Sequence, residues 1–369
     1  DFLFRPGVGK LLFKPGTHQD HAQGYRFRYS HDKEWASPNY YAVDIVDENV
    51  KVEMTSGVRS GIFRFTYPQS DSAYILIDMN HTLLHSCEWS NVRFENDSTI
   101  TGYKLVKGWG PERHVYFAAV FSRKFSDYGI MQGETPVIYN TKRFRSHKEA
   151  WGKDLRIWFK FKSNTNEQVT VKTSISAVST DGALANLKEL DKENFESLKK
   201  KGEEKWNKEL SRFTIKGDKE QKSTFYTSVY HAFLHPFIFQ DADGKFRGLD
   251  KNIEQTKEFT NYTVFSLWDT YRALHPLFNL VQQNVNADII NSMLVHYDKS
   301  VEQMLPIWSF YGNETWCMIG YHAVSVIADA IMKDIKGFDY ERAYQAMKKT
   351  AMNPHYDCLP EYSTGLGAF

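Results

Sequence analysis

Residues Phe265 to Leu280 read FSLWDTYRALHPLFNL, a helix start that gathers Trp268, Asp269 and Arg272 on its first turns. Ser266 is placed to act as N-cap, and Asp269, three residues on, to reach back to the cap amide, which is the spacing of a capping box. A carboxylate at the third helical position also favours the positive end of the helix dipole and faces Arg272 at i+3. The same cluster is where a ligand is expected. Spacing alone leaves both readings open.

Outward from this stretch, apolar residues recur at helical spacing, which predicts helices over 223–240, 266–282, 286–304, 317–335 and 339–351. Several are apolar on more than one face. AVSVIADAI, apolar nearly all round, requires neighbours on both sides. YHAFLHPFIF from Tyr230 and YRALHPLFNL from Tyr271 form a weak repeat whose separation suits a helical hairpin.

Towards the N-terminus the period changes to two. Val50, Val52 and Met54 alternate with Lys51 and Glu53, and Phe63, Phe65 and Tyr67 with Arg64 and Thr66. Leu155, Ile157, Phe159 and Phe161 continue the pattern, and Val169, Val171, Thr173 and Ile175 follow after the turn SNTNEQ. Many short strands of this kind predict two antiparallel sheets packed face to face. Between strands and helices, Leu187, Leu190, Phe195, Leu198, Trp206 and Leu210 mark a helical linker, which Gly202 is expected to break in two. The reading is thus a multidomain β + α chain: a β-sandwich over residues 1–185, a linker over 186–215 and a helical domain over 216–369.

A chain of 369 residues with net charge +1 and scattered basic residues has no electrostatic footprint for nucleic acid. Nine Trp and 21 Tyr suit both a filled core and flat faces that stack on sugar rings. Cys87, Cys317 and Cys358 are too far apart for a CxxC site. No apolar run is long enough to span a membrane. The chain begins at Asp1 rather than Met, which either a removed signal peptide or a cut would explain. CEWSN at 87–91 and KGWGPERHVYF at 107–117 hold Trp, Glu and His beside glycine and could each form a loop facing a ligand, but they read first as ordinary loop and edge-strand chemistry, with His114 a satisfied surface group. DADGKFRGLD at 241–250 lacks the twelfth-position glutamate of an EF-hand and reads as a tight turn at Asp243-Gly244.

The run FSLWDTYRALHPL, preceded by YTVFS and followed by GNETWCMIGYHAVSVIADA, resembles the signature of glycoside hydrolase family 92, the calcium-dependent exo-α-mannosidases. The resemblance implies a sandwich followed by an (α/α)6 toroid, of which residues 216–369 would form the first part. It implies an inverting enzyme, α-1,2 in its preference, that removes terminal mannose from N-glycans or mannan. The general acid and base would lie beyond Phe369, so no catalytic pair is assigned within the chain. Asp269 matches the family's sugar-contacting aspartate and Trp308, in LPIWSFYGNET, a pocket tryptophan. Asn313 and Glu314 either cap the apolar helix that follows or face the same cavity. Calcium would sit in the pocket on the sugar hydroxyls, with ligands outside this chain. The implied partners are a mannose-terminated glycan and the remainder of the polypeptide, or a second chain, closing the toroid. The implied location is secreted or periplasmic. Two other readings share these features: a sandwich-plus-toroid glucosidase or disaccharide phosphorylase, and a carbohydrate-binding protein without catalysis.

Overall fold

The computed structural model describes residues 2–17, 19–20, 23–137 and 148–353. Cys358 and the end of the expected helical domain lie outside them. The chain forms two compact units, Asp1–Gly108 with His114–Asn207, and Trp109–Arg113 with Lys208–Phe369.

The first unit is an antiparallel β-sandwich. One sheet has five strands in the order Leu3–Val8, Ser70–Asp78, Leu155–Ser163, Asp127–Gln132 and Thr135–Pro136. The other has nine and carries Glu167–Ser176 between Arg113–Phe121 and Ser60–Tyr67, antiparallel to both. Alternation drives the packing: Val50, Val52, Phe65, Ile157, Phe159, Val169 and Val171 all enter one core with Ile75, Ile77 and Phe117. The period-two reading fails at the end of Glu167–Ser176, where Ile175 is exposed while Ser174 and Ser176 are buried. The reason is a second layer. Helix α1 (Thr180–Leu187) packs on the outer face of the strand, and the Ser174 hydroxyl donates to the Ala183 carbonyl at 2.6 Å. Helix α2 (Phe195–Leu210) joins it, burying Phe195 and Leu198 with Ile62 and Ala118. The break expected at Gly202 does not occur. A Cβ there would lie 1.6 Å from Asn39 Nδ2, so glycine serves close packing of an unbroken helix.

The second unit is helical: α3 (Lys219–Ala232), α4 (Leu267–Thr270), α5 (Leu274–Val281), α6 (Gln283–Lys299), α7 (His322–Met332) and α8 (Tyr340–Ala351). Its core joins Phe265, Leu267 and Phe278 to Ile290, Met293 and Leu294 of α6, Val326 and Ile327 of α7, and Ala343 and Ala346 of α8. Helix α3 stops at Ala232 rather than running to 240. Pro236, which has no N–H and drives its predecessor out of the α region, turns the chain into the short strand Phe237–Ile238. In the second half of the suspected repeat the His275-Pro276 pair lies inside helix α5, whereas in the first half His235-Pro236 follows the end of α3, so the two copies are not equivalent hairpins. The helix expected over 266–282 is two pieces. In an unbroken helix the Pro276 ring would meet the Arg272 carbonyl, and the break at Arg272–Ala273 puts Pro276 into the first turn of α5, where no N–H bond is needed. A turn does form at Asp243-Gly244, with Gly244 at φ +90° and its N–H on the Asp241 carbonyl at 2.9 Å. Among the described residues no helix is long and apolar enough to cross a membrane.

A buried polar chain stitches α5, α6 and α7. His275 Nδ1 donates to Asn286 Oδ1 at 2.8 Å, Asn286 Nδ2 to Asn279 Oδ1 at 2.6 Å, and Asn279 Nδ2 to Asp329 Oδ2 at 2.9 Å. Burial, countered in part by the bond to Asn286, pushes the His275 pKa down to about 4. The folded ring stays neutral where the unfolded ring, with its ordinary pKa of about 6.5, takes a proton. Stability from this group is therefore intact above about pH 6.5 and falls as pH drops towards 4, by up to roughly 3 kcal/mol. Denaturant melts across that window should show a flatter pH dependence for His275→Gln than for the unsubstituted protein. Parallel curves would assign the acid sensitivity to another group.

Candidate functional site

The site lies on the second unit, where α4 opens beside the 304–316 segment. Trp268, Asp269 and Arg272 are all exposed. The capping box does not form: Ser266 makes no side-chain bond to a helix amide, and its hydroxyl donates instead to the Asp269 carboxylate. A complete capping box is found at Asp218 and Gln221 of α3. The Arg272 guanidinium lies 5.2 Å from the Trp268 ring centre and 4.9 Å from that of Tyr271, whose other partner is the His322 ring, stacked at 4.2 Å and 6°. Asp269 is thus an accessible carboxylate beside an ordered row of flat groups, and its partner is a movable hydroxyl.

The 304–316 segment is tied to this helix start, because the Ser309 carbonyl accepts both Val264 and Phe265 N–H at 3.1 Å. Phe310 and Asn313 exchange backbone bonds across Tyr311-Gly312, where φ is 51° and 72°. Positive φ at both central residues is the signature of a type I′ hairpin turn, which glycine at the second position eases. Trp308 precedes the turn and is only 8 % exposed. Its ring centre is 4.3 Å from that of Trp109, which is 46 % exposed and covers it.

Asn313 and Glu314 cap no helix. Helix α7 starts only at His322, and positive φ at Trp316, Met318 and Gly320 (54°, 74° and 84°) interrupts the helix expected from 317. Asn313 is buried: its Oδ1 accepts from Lys251 Nζ at 2.7 Å, and its Nδ2 donates to the carbonyls of Glu112 at 2.8 Å, Phe310 at 3.1 Å and Tyr311 at 3.2 Å. Glu314 is buried as well. Oε1 accepts from Trp308 N at 2.8 Å and Trp316 N at 2.9 Å, and Oε2 from Ile307 N at 2.9 Å, with His296 Nε2 at 3.3 Å. Burial works against its ionisation, but His296 and the Trp316 and Ile307 amides outweigh it and hold the carboxyl below the usual carboxylate range. Arg113 lies 4.1 Å above the Tyr311 ring, and Gly110 is close enough that a Cβ would sit 3.0 Å from Phe310 and 3.1 Å from Asn313.

The structure therefore brings Trp308, Asn313 and Glu314 into one buried assembly and leaves Asp269 exposed on the neighbouring helix start. Trp109 lies in the 107–117 stretch, whose reading as ordinary loop chemistry gave it no part in the site. The signal available was its place beside Gly110, whose missing side chain lets the backbone approach Phe310 and Asn313. The partners His296 and Lys251 carry no local signal, since each is a single polar residue brought in by the fold.

Residues 1–176 match the glycosyl hydrolase family 92 N-terminal domain, and residues 182–367 the glycosyl hydrolase family 92 catalytic domain. The chain belongs to glycosyl hydrolase family 92. It is similar to a family GH92 α-mannosidase from Bacteroides thetaiotaomicron at 72% identity and TM-score 0.95, covering 98% of this chain and 49% of that one. The same enzyme in complex with mannoimidazole matches equally well, with 48% of that chain covered. An inverting family GH92 mannosidase from Bacteroides thetaiotaomicron VPI-5482 is 25% identical with TM-score 0.83, covering 96% of this chain and 46% of that one. The chain thus spans about half the length of these structures. No functionally curated protein matches it.

Proposed function

We propose that this chain supplies the sugar-binding side of an inverting, calcium-assisted exo-α-mannosidase that removes terminal, α-1,2-linked mannose from N-glycans or mannan outside the cytoplasm. The observation that carries this reading is the 72% identity to a family GH92 α-mannosidase that has also been solved with mannoimidazole. Family membership sets aside the glucosidase and phosphorylase readings.

In this reading Asp269 accepts hydrogen bonds from two vicinal hydroxyls of the terminal mannose, releasing the Ser266 hydroxyl, while Trp109 offers its exposed face to the ring. A carboxylate with a flat apolar neighbour orients a hexose through both its polar edge and its C–H face. Inversion needs an acid for the leaving oxygen and a base for water, about 6.5–9.5 Å apart, and both are assigned to a further segment of polypeptide. That segment also completes the toroid. Leu280, Val301, Met332 and Met352, 71 %, 94 %, 84 % and 75 % exposed, give it apolar surface to cover.

Calcium is the family's implied cofactor. Among the described residues no group of three or more His, Cys, Asp or Glu gathers to hold a metal ion, and we assign the calcium ligands to the further segment. The test is mannose release from α-1,2-mannobiose by the full-length enzyme. Release should stop on chelation and return with added calcium, and α-1,3- and α-1,6-mannobiose should be poorer substrates. Unchanged release under chelation would remove calcium from the mechanism, and release of no mannose from any of the three would remove the function.

A further inference from the structure

We infer that Asn313 and Glu314 are positioning residues that set the Trp109–Trp308 pair, and not sugar contacts. The inference rests on the reading that these tryptophans face the sugar. A carboxylate offers about four lone-pair sites. All four of Glu314's are engaged, by three backbone amides and His296. The side chain is 5% exposed, so a sugar hydroxyl could reach it only by displacing His296 or one of the backbone amides. Two of those amides belong to Ile307 and Trp308, so the carboxylate fixes the backbone from which the inner indole springs.

Asn313 is engaged at both ends of its amide. Its oxygen holds the Lys251 ammonium, and its amide hydrogens serve the hairpin's own carbonyls and that of Glu112. The bond to Glu112 fastens the 109–113 loop, and with it Trp109, onto the hairpin. The two neighbouring side chains thus point to opposite tasks. Glu314 anchors the inner ring, Asn313 anchors the loop bearing the outer ring, and the 4.3 Å separation of the rings is set by both.

The test is a double-mutant cycle in the full-length enzyme with mannoimidazole as probe. Glu314→Gln keeps the shape but turns an N–H towards amide donors, and should weaken mannoimidazole about tenfold, the size of one displaced ring contact. Combined with Trp308→Phe it should weaken binding no further than Trp308→Phe alone, because Glu314 acts through Trp308. Losses that add would make Glu314 a direct sugar ligand and overturn the inference. Near-ultraviolet circular dichroism supplies a readout independent of sugar. The band from the coupled indoles should fall in Glu314→Gln to the level of Trp308→Phe and stay unchanged in Asp269→Ala. If Glu314→Gln does not fold, Asn313→Ser, which frees the 109–113 loop but leaves the Glu314 bonds intact, should still lower the band. An unchanged band in a folded variant would overturn the positioning role. If no variant alters mannoimidazole affinity while the band falls, the clamp stands and the sugar reading of the tryptophans fails.

Discussion

Asp269→Ala in the full-length enzyme should lower kcat/KM for mannoside cleavage by at least about a hundredfold, a loss of roughly 3 kcal/mol of transition-state binding. Thermal stability should hardly change. The side chain is exposed, it bonds no helix amide, and its partner is the Ser266 hydroxyl, which turns to water when the carboxylate is gone. A surface change of that kind costs about 0.5 kcal/mol or less. The capping reading makes the opposite forecast, with activity kept and about 1 kcal/mol of stability lost. Steady-state kinetics beside a denaturant melt separates the two in a single preparation. Activity near that of the unsubstituted enzyme would return Asp269 to a purely local role.

Trp308→Ala should destabilise the protein by about 3–5 kcal/mol as well as weaken sugar binding, because its ring is buried between Trp109 and the hairpin. In the proposed function it is the exposed Trp109, and not Trp308, that faces the sugar. Trp109→Ala removes a ring that is 46 % exposed, so it should lose mannoimidazole affinity at a stability cost of about 1 kcal/mol. Denaturant melts and inhibitor titrations on both variants check the division of labour. Equal stability losses would mean that the two indoles form one core, and unchanged affinity in Trp109→Ala would remove it from the pocket.

What was legible in the sequence was what depends on neighbours along the chain. The alternation in Leu155–Ser163 needs only a strand with one face in the core, and the turn at Asp243-Gly244 needs only its own residues. What was not legible depends on distant partners. Gly202 looks like a helix breaker until Asn39 is seen against it. Ile175 looks inward-facing until α1 covers the other side of its strand. The candidate site divides in the same way. Asp269 is marked by its helix start and by the motif around it. Glu314 beside an apolar run reads equally as a cap or a ligand, and only the amides of Ile307, Trp308 and Trp316 converging on it give a third answer. Pro276 is the case where more could have been read, since its ring forbids the unbroken helix without any tertiary contact.

The most direct test of the site is a crystal structure of the full-length enzyme soaked with mannoimidazole. Both Asp269 oxygens should lie about 2.7 Å from adjacent sugar hydroxyls, with the Trp109 ring against the sugar and Glu314 still holding its three amides. Mannoimidazole bound away from Asp269, or bound there with Glu314 swung out to a hydroxyl, would contradict this arrangement.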